Sequence, residues 1–274
     1  MKIRQIVEWL NGIAPFESAE AFDNVGLLMG DGEKEVHTVL FGMDVTEALA
    51  AQAIELGTEL IITHHPFIFH ALKRIDYSGP QGRTLCMLAQ HQIGVIAAHT
   101  NWDKAPGGVG DALAAALELK NVVSADDYVR VGELPAPLSP DSLSQYICEK
   151  LHIIPRCYPT CDQPITRIAV AGGAYGEGYP AAIAFGAQAY IVGEAAHHEI
   201  LDACARGLTL YDAGHYATEL PGVHALYQRF LADSQQASWS VSAHLHDKAP
   251  YAGAILACLS GVLTNHKEVP HGTD

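Results

Sequence analysis

The chain contains two half-chains with the same order of apolar segments, and this repeat narrows the folds open to it. The segment AAQAIELGTELIITHH (residues 50–65) resembles YPAAIAFGAQAYIVGE (residues 179–194), because in each a helical pattern ends at a glycine and an apolar strand follows. The strands that flank this unit also recur, as HTVLFGMD (37–44) and QIGVIAAH (92–99) in the first half, and as TRIAVAGG (166–173) and GLTLYDAGH (207–215) in the second. Each half therefore predicts a β–α–β–α–β unit with right-handed crossovers.

These strands are apolar on both faces, which is typical of parallel strands covered by helices on each side. We predict an α/β fold of two similar lobes, each with helices flanking a mostly parallel sheet, around a shared cleft. The predicted first lobe is 1–126, the second lobe is 127–247, and 248–274 is a tail. The boundary lies in 124–140, where acids, glycine and proline mix. An alternative boundary places the strand-like stretch 129–134 in the first lobe's sheet.

The composition excludes some partners and favours a cytoplasmic protein. Acidic residues number 31 against 16 basic ones, a net charge of −15, so the surface repels phosphate backbones and anionic lipids. We therefore predict no nucleic-acid or membrane partner. No apolar run approaches the roughly 20 residues that cross a bilayer. The first residues have a helical apolar spacing instead, and the tail segment AGAILACLSGVL predicts one more helix.

Three of the apolar strands end in residues that can bind metal. His64 and His65 follow the strand ELIIT, His99 and Asp103 follow GVIAA, and LTLYDAG runs into the segment 215–219, which starts with histidine and ends with glutamate. Ligands of open α/β sheets bind outside the carboxyl ends of the strands. A single histidine at a strand end is ordinarily a solvated residue, but three such clusters at one edge favour a metal site.

The spacing within these clusters predicts two ions. Adjacent His64 and His65 project to opposite sides of an extended backbone, so they suit two neighbouring ions better than one. His215 and Glu219 are four apart and share a face if a helix begins there. A carboxylate such as Glu219 can bridge two ions held about 3.5–4 Å apart. Imidazole and carboxylate ligands suit divalent Zn, Fe, Mn, Co or Ni better than Ca or Mg.

Five motifs give the chain a specific resemblance to a known family. THHPFIFHALK, AAHTNWD, AGHYATE, FDNVGLLMG and FGMDVT resemble the GTP cyclohydrolase 1 type 2 homologue family, also called the NGG-interacting-factor-three-like family. The resemblance runs from the first helix to about residue 245. It implies a two-lobed α/β fold, a dinuclear metal site and a ring-shaped homohexamer with the sites facing its interior.

The resemblance also implies a metal ligand set. His64 and Asp103 match the ligands of one ion, His65 and His215 match those of the other, and Glu219 matches the residue that bridges both.

Other positions carry weaker expectations. The resemblance places His99 either beside the ligands or in contact with the second metal, and we take His99 and His198 as candidates for a general base. Asp44 and Glu194 end strands nearby, where they either orient ligand imidazoles or act as ordinary capping or surface acids. Trp102 departs from the family pattern, which has a smaller aliphatic residue there, and this change is expected to alter the pocket wall.

The function that the resemblance implies is hydrolysis at the guanine imidazole ring of GTP by a metal-activated water. Its substrate would be a nucleotide-like small molecule, although the chain lacks a Walker-type phosphate loop: Gly107-Gly108 and Gly172-Gly173 have no Lys and Ser/Thr partners. Two alternatives stay open. One is a non-catalytic metal-binding or regulatory scaffold that acts through protein partners, and the other is a metal-dependent phosphoesterase.

Overall fold

The first half of the chain folds as its repeat predicts. The computed structural model describes residues 1–249, so the helix predicted in the tail lies outside the described residues. The elements of this half are α1 (Ile3–Ile13), β1 (Gly26–Met29), β2 (Thr38–Gly42), α2 (Glu47–Glu55), β3 (Leu60–Thr63), α3 (Pro80–Gln90), β4 (Gly94–Ala97), α4 (Thr100–Lys104) and α5 (Val109–Ala116). The predicted β–α–β–α–β unit is β2–α2–β3–α3–β4.

The second half repeats this unit as β8–α7–β9–α8–β10. Its elements are β5 (Lys120–Ser124), β6 (Arg130–Leu138), α6 (Pro140–Leu151), β7 (Arg156–Tyr158), β8 (Ile165–Ala171), α7 (Tyr179–Ala184), β9 (Ala189–Val192), α8 (His197–Ala205), β10 (Thr209–Asp212), α9 (His215–Gln236) and β11 (Ser242–His246). Short 3-10 turns lie at Phe16–Ser18 and Gly176–Gly178.

Two mixed sheets form the centre of the molecule. The first has the strand order β1-β4-β3-β2-β11, with parallel pairing throughout except at β1. The second has the order β5-β6-β8-β9-β10-β7, with β8, β9 and β10 parallel and the remaining pairs antiparallel. All residues of β3, β4 and β9 are buried, as expected for strands covered on both faces. The predicted α/β class is confirmed.

One strand pairs outside its own half of the chain. β11 falls in the segment assigned to the second lobe, yet it pairs in parallel with β2 at the edge of the first sheet. Helix α9 explains the return, because it starts beside the second sheet and carries Leu226 and Phe230 into the core around Phe41. The stretch 129–134 contributes to β6 and so to the second sheet.

The first helix packs through one apolar face, as the helical spacing of its apolar residues predicts. Ile3, Ile6 and Leu10 are completely buried on one face of α1, in the same core as Phe41. Burying side chains of this size stabilises the fold by about 1.5–3 kcal/mol each. Among the described residues, no helix combines the length and the apolar character needed to cross a membrane.

Candidate metal centre

The structure brings the five predicted ligands together at the carboxyl ends of three strands. His64 and His65 follow β3 directly, Asp103 lies in α4 just after β4, and His215 and Glu219 lie on the first turn of α9 after β10. Helix α9 begins at His215, so the four-residue spacing puts both of its candidate ligands on one face. The cluster therefore draws side chains from both sheets.

The Glu219 carboxylate lies at the centre of this cluster. Its Oε1 atom is 3.6 Å from His64 Nε2 and 3.2 Å from His215 Nε2, and its Oε2 atom is 3.0 Å from His65 Nε2. Asp103 Oδ1 lies 3.6 Å from His64 Nε2 on the other side. Both Glu219 oxygens thus face imidazole nitrogens, which is the position that a bridging carboxylate needs.

Each ligand imidazole is held through its Nδ1 atom, which leaves Nε2 directed at the cluster. A carboxylate or carbonyl partner of this kind fixes the tautomer and orientation of a metal-binding histidine. The partners are Ala98 O for His64 at 2.8 Å, Asp44 Oδ1 for His65 at 2.7 Å, and Glu194 Oε1 for His215 at 3.5 Å. The orienting role is thus supported for Asp44, whereas the contact of Glu194 is longer.

His99 lies in the cluster and His198 does not. The Nδ1 atom of His99 is 2.9 Å from Asp23 Oδ1, while Asp23 Oδ2 accepts hydrogen bonds from the backbone N–H and the hydroxyl of Thr100. The His99 ring lies against those of His64 and His65, and these three histidines form one possible cation-binding group. His198 is exposed on α8, away from the cluster. Neither possible cation-binding group nor the lining of the adjacent cavity includes His198, and its role as a general base stays a prediction.

The buried atoms of the cluster lack some of the hydrogen-bond and charge partners that they need. The His64 Nε2 atom is buried without a hydrogen-bond partner, and the buried Glu219 Oε2 atom has only His65 Nε2 beside it, at 3.0 Å. Burial raises the pKa of Asp103 to about 7, despite the favourable charge of His64. Burial also opposes the charged form of Glu219, but the neighbouring His64 and the hydrogen bonds of the histidines hold its pKa well below the usual value. Unpaired buried acceptors of this kind fit a cation.

The pKa of His65 reflects its two carboxylate neighbours. Burial lowers this pKa, but hydrogen bonds to Asp44 and Glu219 outweigh burial and raise it to about 10. A proton on His65 then offsets part of the negative charge of these two carboxylates. Because metal ligands must be deprotonated, binding of a cation would release this proton. The residues present therefore fit a divalent cation: His65, His215 and Glu219 form a second possible binding group.

A glycine turn after β8 supports the central carboxylate. Gly173 has a φ of +63°, and a Cβ atom added there would lie 2.2 Å from Glu219 Oε1 and 3.4 Å from His215 Nε2. Its backbone N–H donates to the Thr218 hydroxyl at 3.1 Å. Only glycine combines this left-handed conformation with space for the Glu219 side chain.

A cavity of about 480 Å³ opens beside the cluster. Asp103, His215 and Glu219 line it together with His99 and with several aromatic side chains. A second cavity of about 400 Å³ is lined by His65 and Asp44. Both volumes are of the size that binds small molecules.

With this geometry, the chain can be placed among known proteins. The sequence profile of the family described as Duf34/NIF3 (NGG1p interacting factor 3) matches residues 1–250. The chain belongs to this family. A NIF3-related protein of Bacillus cereus has the same fold, with a TM-score of 0.88 at 20% identity over 92% of this chain and 98% of that one.

Two relatives of this Duf34/NIF3 chain carry a functional name. A Clostridium perfringens protein named GTP cyclohydrolase 1 type 2 homolog is 33% identical over 230 residues, which are 81% of this chain and 88% of that protein. A Streptomyces coelicolor protein of the same name is 30% identical over 259 residues, 89% of this chain and 90% of that protein.

Two positions differ from the expectations for this Duf34/NIF3 chain. Trp102 does not line the cavity: it is buried in the core of the first lobe, and its Nε1 donates to Gly222 O at 2.9 Å. It joins α4 to α9 and contributes to the lining of neither described cavity. Asp23, in contrast, contacts His99 although the sequence patterns predict no role for it; it lies in the FDNVG motif. Nothing in the sequence indicates that this loop folds back onto His99.

Proposed function

We propose that this Duf34/NIF3 protein is a hydrolase that depends on two divalent metal ions and opens the guanine imidazole ring of GTP. The observation that carries the proposal is a buried group of imidazoles and carboxylates in which His64 Nε2 has no hydrogen-bond partner, and which borders a cavity of about 480 Å³ through Asp103, His215 and Glu219. The name shared by the Clostridium perfringens and Streptomyces coelicolor relatives supports the choice of GTP.

In this proposal, His64 and Asp103 hold one ion, His65 and His215 hold the other, and Glu219 lies between them. The bound ions would polarise the attacked group and bring the pKa of water toward neutrality. Asp44 orients the His65 ring and strengthens it as a ligand.

His99 is the residue that we assign to proton transfer. It lines the cavity, and the Asp23 carboxylate holds its Nδ1 atom, so its Nε2 atom is the one that can exchange a proton with a reacting molecule. Opening of the ring adds one water and breaks one ring C–N bond. The water oxygen becomes the carbonyl oxygen of the formamide, so both of its protons leave it, and one goes to each of the two ring nitrogens that flank the attacked carbon.

The test measures metal content and turnover on protein purified without chelator. We expect two divalent ions per chain, and a change in guanine absorbance and product mass when GTP is added. His65→Ala should lose metal and turnover, whereas His197→Ala, which removes an exposed imidazole of α8, should keep both.

Each other outcome identifies a different function. Metal-loaded protein that leaves GTP intact contradicts the cyclohydrolase proposal. Cleavage of a panel of phosphoesters would then favour a metal-dependent phosphoesterase. Tight metal binding with turnover of neither GTP nor the phosphoesters would favour the non-catalytic scaffold. Such a role is consistent with the partner interaction in the family's description.

The proposal includes a homohexamer in the cytoplasm. Its support is the resemblance of the sequence motifs to a family of ring-shaped hexamers. Light scattering should give a particle of six 29.3 kDa chains, and a monomer at micromolar concentration would contradict this assembly. Cell fractionation tests the location.

A further inference from the structure

We infer that the cavity beside the cluster recognises a planar, uncharged or cationic heterocycle by stacking on Tyr175, and leaves any phosphate groups outside. The inference rests on the proposed function in one respect, since it takes this cavity as the substrate site. It adds which part of the substrate is bound, and which side chain binds it.

Three aromatic side chains line the cavity together with the ligand residues, and we call Phe22, Tyr128 and Tyr175 its aromatic wall. Phe22 and Tyr175 both line it, and Phe22 is 66% exposed, so its ring is available to a ligand. Tyr128 also lines the cavity and stacks on Tyr175, with ring centroids 4.6 Å apart and planes inclined by 38°. Aromatic surfaces of this kind bind planar rings by stacking, with little dependence on which ring is bound.

This wall is fixed before any ligand arrives. The Tyr190 hydroxyl donates to the backbone carbonyl of Tyr175 at 2.6 Å. The next residues are packed too tightly to accept a side chain: a Cβ atom on Gly176 would lie 2.1 Å from Glu199 Oε2, and one on Gly178 would lie 2.7 Å from Tyr190 Oη. The Tyr175 backbone therefore has little freedom, which lowers the entropic cost of stacking.

The Tyr128 ring behind it is also held. Its hydroxyl donates to Glu20 at 2.8 Å, and Lys104 Nζ lies 2.6 Å from the same carboxylate. Lys104 also lies over the Tyr128 ring, 5.4 Å from its centroid. The charge of Lys104 is thus already compensated by Glu20 and is not free for a ligand.

The charges around the cavity disfavour a polyphosphate. Among the described residues that line the cavity there is neither lysine nor arginine. Four acidic residues line it: Glu20, Asp103, Glu177 and Glu219. Asp103 and Glu219 are assigned to the metal ions, and Glu20 is paired. Glu177 is exposed, and neither a lysine nor an arginine among the described residues forms an ion pair with it. A triphosphate that lies beside Glu177 would therefore meet a repelling carboxylate, whereas a neutral or cationic ring would not.

The test compares binding of guanosine and GTP to metal-loaded protein, with the free metal concentration and ionic strength held equal. We expect guanosine to bind at least as tightly as GTP. Tyr175→Ala should raise the dissociation constant of guanosine on the order of tenfold, the loss expected for one stacked base. Tyr175→Phe keeps the ring and should stay close to the wild-type protein. Metal content should be the same in all three.

A charge reversal provides the second arm. Glu177→Lys should tighten GTP binding several-fold and leave guanosine binding unchanged. GTP binding tenfold tighter than guanosine in the wild-type protein would overturn the inference. So would unchanged guanosine binding in Tyr175→Ala, or no measurable binding of guanosine, adenosine, cytidine or uridine.

These readouts separate the inference from the proposed hydrolysis, because they measure binding alone. Guanosine binding that depends on Tyr175, together with intact GTP after long incubation, would contradict only the hydrolase. If Tyr175→Ala still turns over GTP and its KM for GTP is unchanged, only the stacking site would be contradicted.

Discussion

At the scale of single residues, Gly173 is the position where a small change should have a specific effect. An added Cβ atom would lie 2.2 Å from Glu219 Oε1, and the left-handed backbone penalises any other residue. We expect Gly173→Ala to lower the free energy of unfolding by about 1–3 kcal/mol and to lower metal content as well. Urea unfolding and metal analysis measure the two effects.

Gly57 supplies the matched control. Its φ of +64° nearly equals that of Gly173, but an added Cβ atom would meet nothing within 4 Å. Gly57→Ala should therefore lose stability through backbone strain alone and keep its metal. Equal metal content in the two variants would show that Gly173 does not support Glu219.

The partners of the ligand histidines should differ in their importance. Asp44 Oδ1 lies 2.7 Å from His65 Nδ1, whereas Glu194 Oε1 lies 3.5 Å from His215 Nδ1 and its side chain is 61% exposed. Loss of such a partner typically costs 10–100-fold in metal affinity. We expect Asp44→Ala to lower the metal affinity by about that factor and Glu194→Ala to lower it less. Competition with a chromophoric chelator measures both, and an equal loss would contradict this ranking.

Residues of the site could be predicted where their signal is local. His64, His65 and His215 stand directly at strand ends, and a sheet edge gathers such positions whatever the rest of the chain does. Asp23 and Tyr175 could not be found in this way. Their roles depend on loops that fold back onto the site, and a loop's path is set by contacts with residues far along the chain.

At the scale of elements, a hydrogen bond between the first and last long helices should give the stability a pH dependence. Asp233 Oδ2 on α9 accepts from Trp9 Nε1 on α1 at 2.9 Å and from Arg229 Nε at 2.8 Å. Burial raises the pKa of Asp233, but these two donors outweigh it and hold the pKa below its usual value. This contribution is present above the unfolded-state pKa of about 3.9 and is lost as the pH falls through the folded-state pKa.

We therefore expect Asp233→Asn to be less stable than the wild-type protein by about 1 kcal/mol at pH 7, with the gap narrowing at about pH 3. Urea unfolding at the two pH values measures this change. Asp162→Asn, at an exposed acid, should show little effect at either pH. A gap that stays constant with pH would assign the effect of Asp233 to packing rather than charge.

The two β–α–β–α–β units were predictable because their apolar segments repeat in sequence. The partner of β11 was not, because five residues at the end of a long helix carry no signal of the strand they will join. That pairing depends on where α9 delivers the chain, which depends in turn on Leu226 and Phe230 reaching the first core.

At the scale of the whole molecule, metal binding should stabilise the fold, because the ligands come from both sheets. Free metal at 100 times its dissociation constant adds about 2.7 kcal/mol, which corresponds to a rise in Tm of about 5–10 °C for a chain of this size. Thermal melting at fixed protein concentration, with metal and then with chelator, measures the shift. His65→Ala should show a much smaller one, and a full shift in that variant would place the stabilising ion elsewhere.

The pairing of β11 with β2 also affects the order in which the molecule can be completed during synthesis. Thr38 and Ser242 are register partners, yet 204 positions separate them. At translation rates of about 5–20 residues per second, β2 waits about 10–40 s for its neighbour. Throughout that time the nascent first sheet presents an open backbone edge, a surface on which strands of other chains can add. Chaperone contact should therefore be most useful to this protein before β11 leaves the ribosome.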